Sequence, residues 1–231
     1  MASFRIIPLH EDDGTDTETL EERVKAESPL DLPDPREQDA PLRSGPLPQT
    51  LEFFDGGIAA LEYGFEVERT TKGLDGEERA YILTDRAPVI FLGNGYAAID
   101  AYCSSDVERE ILDLLNNLLG SEVSYETVSF GEETLRKVIK QAETVEETDF
   151  SPERDDLPKR VLGEHQSGLR NTRMWPEYEE AAGFKEGGVT TIYGRDLELS
   201  LCSRVLRHIT DEVVSNLDVD SFQKRLGGVD R

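Results

Sequence analysis

Hydrophobic residues recur along this chain with two periods, and the switches between them mark out its elements. Residues 3–9, Ser-Phe-Arg-Ile-Ile-Pro-Leu, read as a short strand that Pro8 demotes to a sheet edge or ends. From Thr17 to Glu27 the residues favour a helix with Leu20, Val24 and Ala26 inward. Residues 28–48 hold six prolines and little apolar material, which predicts an extended loop. Strand patterns dominate from Thr50 to Tyr102. They fall at Leu51–Phe54, Ile58–Arg69 with a break expected at Gly64, Arg79–Thr84, Val89–Leu92 and Tyr96–Tyr102. Lys72–Gly76 and Gly93-Asn94-Gly95 are the turns, the second a strong hairpin signal. Ser104 or Ser105 then caps a helix, with Glu108 placed as in a capping box. Val107, Ile111, Leu114, Leu115 and Leu118 form one face of that helix, and Gly120 ends it.

The second half reads more sparsely. A strand is predicted over Glu122–Phe130 and a helix over Glu132–Ala142. Residues 143–186 read as an irregular loop in which Pro176 opens a short helix through Ala182. A hairpin follows, Gly188–Tyr193 and Leu197–Leu201 about Gly194-Arg195-Asp196, then a helix from Ser203 to Leu217 and a helical stub from Asp220 or Ser221. The halves echo each other. Gly95, Cys103-Ser104 and Asn117-Leu118 match Gly194, Cys202-Ser203 and Asn216-Leu217 at a constant offset of 99. This predicts a duplicated unit spanning 1–120 and, in an eroded copy, 121–231.

The unit order and the text from Tyr81 to Leu119 resemble the TATA-box-binding-protein family. Tyr81 to Phe91 runs as a strand, a turn with Arg86 and Pro88, and a Val-Ile-Phe strand; Gly93-Asn94-Gly95, a return strand with a cysteine and a Ser-capped helix follow. The resemblance implies an α+β fold, a curved antiparallel sheet with helices packed on one face, pseudo-duplicated. It also implies a concave sheet face that grips nucleic acid with wedge phenylalanines, of which Phe91 matches one position. The chain departs from the family at the partner wedge position, near Leu74, and in the second half, where Ile192 and Tyr193 stand without a Phe.

Charge changes the picture. Of 231 residues 37% are hydrophobic, and 49 acids against 25 bases leave a net charge of −24. Acids are scattered throughout and arginine outnumbers lysine, a pattern of adaptation to a salty cytoplasm. At about 1 M salt the Debye length is near 3 Å, so self-repulsion is weak there. Against this background Lys159, Arg160, Arg170, Arg173 and Trp175 form a locally basic stretch able to clamp phosphates and stack on bases. Counterion release loses force in high salt, so such a binder needs shape and apolar contact as well. Tyr63, Phe65, Phe91 and Tyr96 near an open sheet face are the second candidate, with core packing under the helices the favoured alternative for any one of them.

Catalytic signals are weak. The histidines, His10, His165 and His208, stand apart, and Cys103 and Cys202 form no Cys-x-x-Cys motif, so neither a metal nor a cofactor is expected. No phosphate loop, dinucleotide fingerprint or nucleophile elbow occurs. The N-terminus lacks a signal-peptide run and no stretch is apolar enough to span a membrane. The expectation is a cytoplasmic, non-catalytic binding module with a nucleic-acid partner, or with a protein partner if the scaffold has lost DNA contact. The sequence leaves the oligomeric state open.

Overall fold

The computed structural model describes residues 1–9, 17–27, 41–74, 76–119, 126–128, 144–149, 168–173, 181–185, 188–194, 197–212 and 222–224. Strand β1 (Ala2–Pro8) is followed by helix α1 (Thr17–Ala26), strands β2 (Ser44–Phe54), β3 (Ile58–Lys72), β4 (Glu78–Phe91) and β5 (Tyr96–Asp100), and helix α2 (Ser105–Leu119). Then come β6 (Glu126–Val128), β7 (Thr144–Asp149), β8 (Gly168–Arg173), β9 (Ala181–Lys185), β10 (Val189–Tyr193), helix α3 (Leu199–Glu212) and β11 (Phe222–Lys224). The fold is α+β. One antiparallel sheet of nine strands runs in the order β2-β3-β4-β5-β1-β10-β9-β8-β7, and β11-β6 is a separate pair. The first strand of the chain is therefore the middle of the sheet. It pairs with β5 on one side (Ile6 opposite Ala98) and with β10 on the other (Phe4 opposite Thr190).

The sheet is clothed on both faces, and this corrects the expectation of helices on one face. Side chains alternate across each strand. Ile7, Ala59, Leu61, Tyr63, Val89, Phe91, Ala97 and Ile99 bury against α1 (Leu20, Val24) and α2 (Ile111, Leu115, Leu118). Their neighbours Phe4, Ile6, Ile58, Ala60, Ile90 and Ala98 point the other way. They bury against α3 (Cys202, Val205, Leu206, Ile209) and against Val128 of β6. Each aliphatic side chain fully removed from water contributes roughly 1.5–3 kcal/mol, so two such layers make the body of the molecule.

Local signals explain the ends of these elements. The Val107 amide donates to Ser104 Oγ at 3.4 Å and the Glu108 amide to the Ser104 carbonyl at 2.8 Å, so Ser104 is the cap of α2. Glu108 reaches instead across the sheet, where its carboxylate accepts from Arg5 Nη1 at 2.5 Å. Gly93 takes a positive φ of 67°, and a Cβ there would sit 2.6 Å from the Gly57 carbonyl oxygen. The β4–β5 and β2–β3 turns can touch only because that side chain is missing. Arg207 of α3 lies over this junction and donates to the carbonyls of Gly56 and Leu92, while Asn94 Nδ2 donates to Thr210 Oγ1 at 2.6 Å.

Other sequence expectations are revised. Proline-bearing residues 44–48 belong to β2, and neither Gly64 nor the segment 85–88 interrupts β3 or β4. Pairing of β4 with β5 reaches only to Val89, so Pro88 sits where no ladder bond is lost on that side. The stretch 143–186, expected to be irregular, holds β7, β8 and β9, with Ala181 and Ala182 in a strand. Leu197–Leu201 is not a strand: α3 begins at Leu199, with the Cys202 amide donating to the Glu198 carbonyl at 3.0 Å. Residues 222–224 form a strand, not a helical stub. The 99-residue offset fails as a structural register, because Cys103 precedes α2 whereas Cys202 lies inside α3. The buried positions 108, 111, 112 and 115 of α2 correspond instead to 202, 205, 206 and 209 of α3, an offset of 94. The helix predicted over Glu132–Ala142 lies outside the described residues.

Candidate functional site

The β3–β4 ladder is longer than the sheet that contains it. It pairs without a break from Ala59 opposite Phe91 to Lys72 opposite Glu78. Its neighbours leave early, β5 at Val89 and β2 at Ser44 opposite Phe65. Beyond Glu66, whose amide donates to the Arg43 carbonyl at 2.8 Å, the two strands continue as a ribbon with no third strand among the described residues, closed by a turn in which the Gly73 amide donates to the Glu77 carbonyl at 2.8 Å. Two-stranded ribbons are marginal by themselves. This arm stands because its register continues that of the body.

Ion pairs fasten its root. Glu66, with its side chain 4% exposed, accepts from Arg43 Nε and Nη2 at 3.0 and 2.8 Å and from the Arg43 amide at 2.9 Å. Arg86 pairs with Glu62 at 2.6 Å on the exposed surface. Among the described residues nothing buries the arm beyond Val67: positions 68–72 and 78–86 are exposed. On the face continuous with the α1–α2 side lie Val67, Arg69, Thr71, Arg79, Tyr81, Leu83 and Asp85; on the other lie Glu68, Thr70, Lys72, Ala80, Ile82 and Thr84. Tyr81, Ile82 and Leu83 are 43%, 41% and 49% exposed, three large apolar side chains in a row. Leu74 stands fully exposed at the tip.

Those of the residues singled out from sequence that the structure describes do not converge. Phe91 is buried among the side chains under α1 and α2 and cannot serve as a wedge. Tyr63 is also buried; its hydroxyl donates to Glu110 Oε2 at 2.9 Å, and burial first, then Glu110 and Asp113, push its pKa up to about 12. Tyr96 is half-buried on the α3 side and Phe65 half-buried against the α1–α2 layer. Arg170 and Arg173 lie on β8, opposite Glu147 and Thr144 of β7. Four strands separate β8 from β4, roughly 24 Å at the usual strand spacing. Lys159, Arg160 and Trp175 lie outside the described residues. The sequence hides the arm because β4 reads as two strands, Arg79–Thr84 and Val89–Leu92, parted at 85–88.

Chemistry elsewhere is limited. Burial, then the charges of Glu108 and Asp100, raise the Cys103 thiol to about 11, so it is a poor nucleophile at neutral pH. A shallow crevice of about 280 Å³ runs beside α3, with Arg204, His208, Asp211 and Asp55 on its walls. Burial acts to raise the Asp211 pKa, but hydrogen bonds from Asn94 and Arg207 outweigh it and hold the carboxyl below its usual value. Among the described residues no three metal-ligating side chains come together, and no helix is long and apolar enough to cross a membrane. No family model and no curated protein matches the sequence.

Proposed function

We propose that this chain is a non-catalytic binding module that recognises a protein surface through the β3–β4 arm. The observation that carries the reading is the run Tyr81-Ile82-Leu83, exposed on a ribbon that holds no core of its own. Tyr81 and Leu83 share one face of the ribbon and Ile82 stands on the other, and exposed apolar side chains on a projecting element mark a contact surface. Among the described residues no strand pairs with the outer edges of the ribbon, which leaves main-chain groups that a partner strand can use. A nucleic-acid partner is less well served. A β-ribbon can enter a major groove, but the phosphates would meet a chain of net charge −24.

The scaffold reading also belongs here. Each half runs through a strand, four antiparallel strands in meander order and a helix, β6 and β7–β10 with α3 repeating β1 and β2–β5 with α2. That order supports a duplicated unit resembling the TATA-box-binding-protein scaffold. The placement of α3 over the opposite face argues that the second copy diverged away from a nucleic-acid saddle. The acidic surface fits work in molar salt, where apolar contact keeps its strength.

A photo-crosslinking phenylalanine analogue at Tyr81, with Tyr102 (68% exposed on the body) as the control, tests the reading in cells of the source organism. Protein adducts from position 81 and none from 102 are expected. Nuclease-sensitive adducts, or equal yields at both positions, would overturn it.

A further inference from the structure

The arm has two outer edges, and they are built differently. Residues of an antiparallel strand send both main-chain groups to one neighbour and then, alternately, to the other. On β4 the Leu92 amide donates to the Tyr96 carbonyl, on the β5 side, at 2.9 Å, and the Glu77 carbonyl accepts from the Gly73 amide, on the β3 side, at 2.8 Å. The register from Glu78 to Phe91 is unbroken, so Ala80, Ile82 and Thr84 send their N–H and C=O groups outward, away from β3. At Arg86 the outward amide already donates to Asp85 Oδ1 at 2.9 Å. Among the described residues no strand pairs with Ala80, Ile82 and Thr84 on that side. The other edges of the sheet are guarded. Strand β2 carries Pro46 and Pro48 and a register shift beside them, β7 carries Glu146, Glu147 and Asp149, and the outer edge of β3 carries Glu68, Arg69 and Lys72. Ala80 to Thr84 holds no charge, no proline and no glycine, in a chain that is 32% charged.

We infer that the outer edge of β4 from Ala80 to Thr84 is a strand-addition site, and that its occupant is a single extended segment of a partner protein. This rests on the arm being the contact surface and adds the way the partner is held. A second copy of the arm does not fit. Laid antiparallel about Ile82, it would set Glu78 opposite Arg86 and run its turn on to the level of Ala87. There the β4–β5 register places Ala101, whose amide donates to the Ser3 carbonyl at 3.0 Å. Sliding the copy clear of the body loses Thr84 as a pairing position. A lone strand lies along the ~30 Å from Glu78 to Arg86 without meeting the body. Such a segment sets β-branched or aromatic side chains beside Tyr81 and Leu83 on one face and Ile82 on the other. It carries few acids, because the chain it meets has a net charge of −24. Main-chain bonds supply its affinity and alternate side chains its selectivity.

The probe is a peptide of about nine residues, alternating threonine and valine between terminal lysines, added to the intact chain in about 1 M KCl. Fluorescence anisotropy should show saturable binding with Kd on the order of 100 µM. At about 1 mM peptide, amide hydrogen exchange at Ala80, Ile82 and Thr84 should slow at least fivefold, while exchange at Glu68, Thr70 and Lys72, on the other edge, stays unchanged. Ile82→Pro removes an outward donor and no ladder bond to β3, so it should weaken binding at least tenfold, whereas Ile82→Val should stay within twofold. A peptide with proline at its centre should not bind, which tests the same bonds with the arm unaltered. No binding at that concentration, equal protection of both edges, or equal losses with proline and valine at position 82 would overturn the inference. The two proposals separate. Crosslinks from position 81 to another protein, with no protection of Ala80, Ile82 and Thr84 by the peptide, remove strand addition and leave the binding module standing.

Discussion

The two ends of the β3–β4 ladder share one pair of strands and one unbroken register, yet they live in different environments. Between Ala59–Leu61 and Val89–Phe91 both faces are buried, one by α1 and α2 and the other by α3. Between Val67–Lys72 and Glu78–Leu83 the same backbone ladder has little beneath or above it among the described residues. The difference teaches that ladder hydrogen bonds extend an element but do not by themselves make a core. The inner end is held by area removed from water, and the outer end only by continuity with it.

The sharpest way to break this comparison is through charge. Arg5→Met removes the buried Arg5–Glu108 ion pair between β1 and α2, where the Glu108 side chain is 9% exposed, and should cost about 3–5 kcal/mol. Arg86→Met at the arm root, where the pair is exposed, should cost less than about 1 kcal/mol. Denaturant midpoints at fixed KCl measure both. Next come matched truncations on one strand: Ile90→Ala, fully buried, should cost about 2–5 kcal/mol, and Ile82→Ala within about 0.5 kcal/mol. Equal losses would mean that the arm carries stability after all. A third prediction uses pH. The buried Tyr63 phenol keeps its proton to about pH 12 in the folded state, whereas the unfolded chain releases it near 10. Its folded pKa is raised, so its contribution is full below pH 10 and is lost as pH climbs from 10 towards 12. Tyr63→Phe should flatten that part of the stability–pH curve. The smallest effect is chemical: alkylation of Cys103 at pH 8 should run more slowly than that of an unfolded-chain thiol, by a factor set by its raised pKa.

Much of the local structure was legible. Ser104 caps α2, Gly93-Asn94-Gly95 turns β4 into β5, and the apolar faces of α1 and α2 lie where their periods put them. What periodicity cannot state is which side of a sheet an apolar helix face will meet, and α3 is the case in point. A signal for two-sided burial was nevertheless present. Val89-Ile90-Phe91-Leu92 and Ala97-Ala98-Ile99 have no polar alternation, the signature of strands covered on both faces. Leu197, Leu199 and Leu201 show the opposite difficulty. Their spacing of two reads as a strand, but it spans a short loop and the first turn of α3, where all three lean on the same core. The candidate site was less legible than the fold. Arginine-rich text drew attention to β8 and the residues before it, whereas the arm shows itself only when the lengths of β3 and β4 are compared with those of their neighbours.

The position of α3 has a consequence for synthesis. Ile58, Ala60, Ile90, Leu92 and Ala98 are made early, but the residues that cover them end at Ile209. At about 5–20 residues per second the ribosome needs roughly 5–18 s to travel from the end of α2 to that point. Throughout that interval the nascent chain carries an uncovered greasy surface, which makes it a client for a holding chaperone until its last helix arrives.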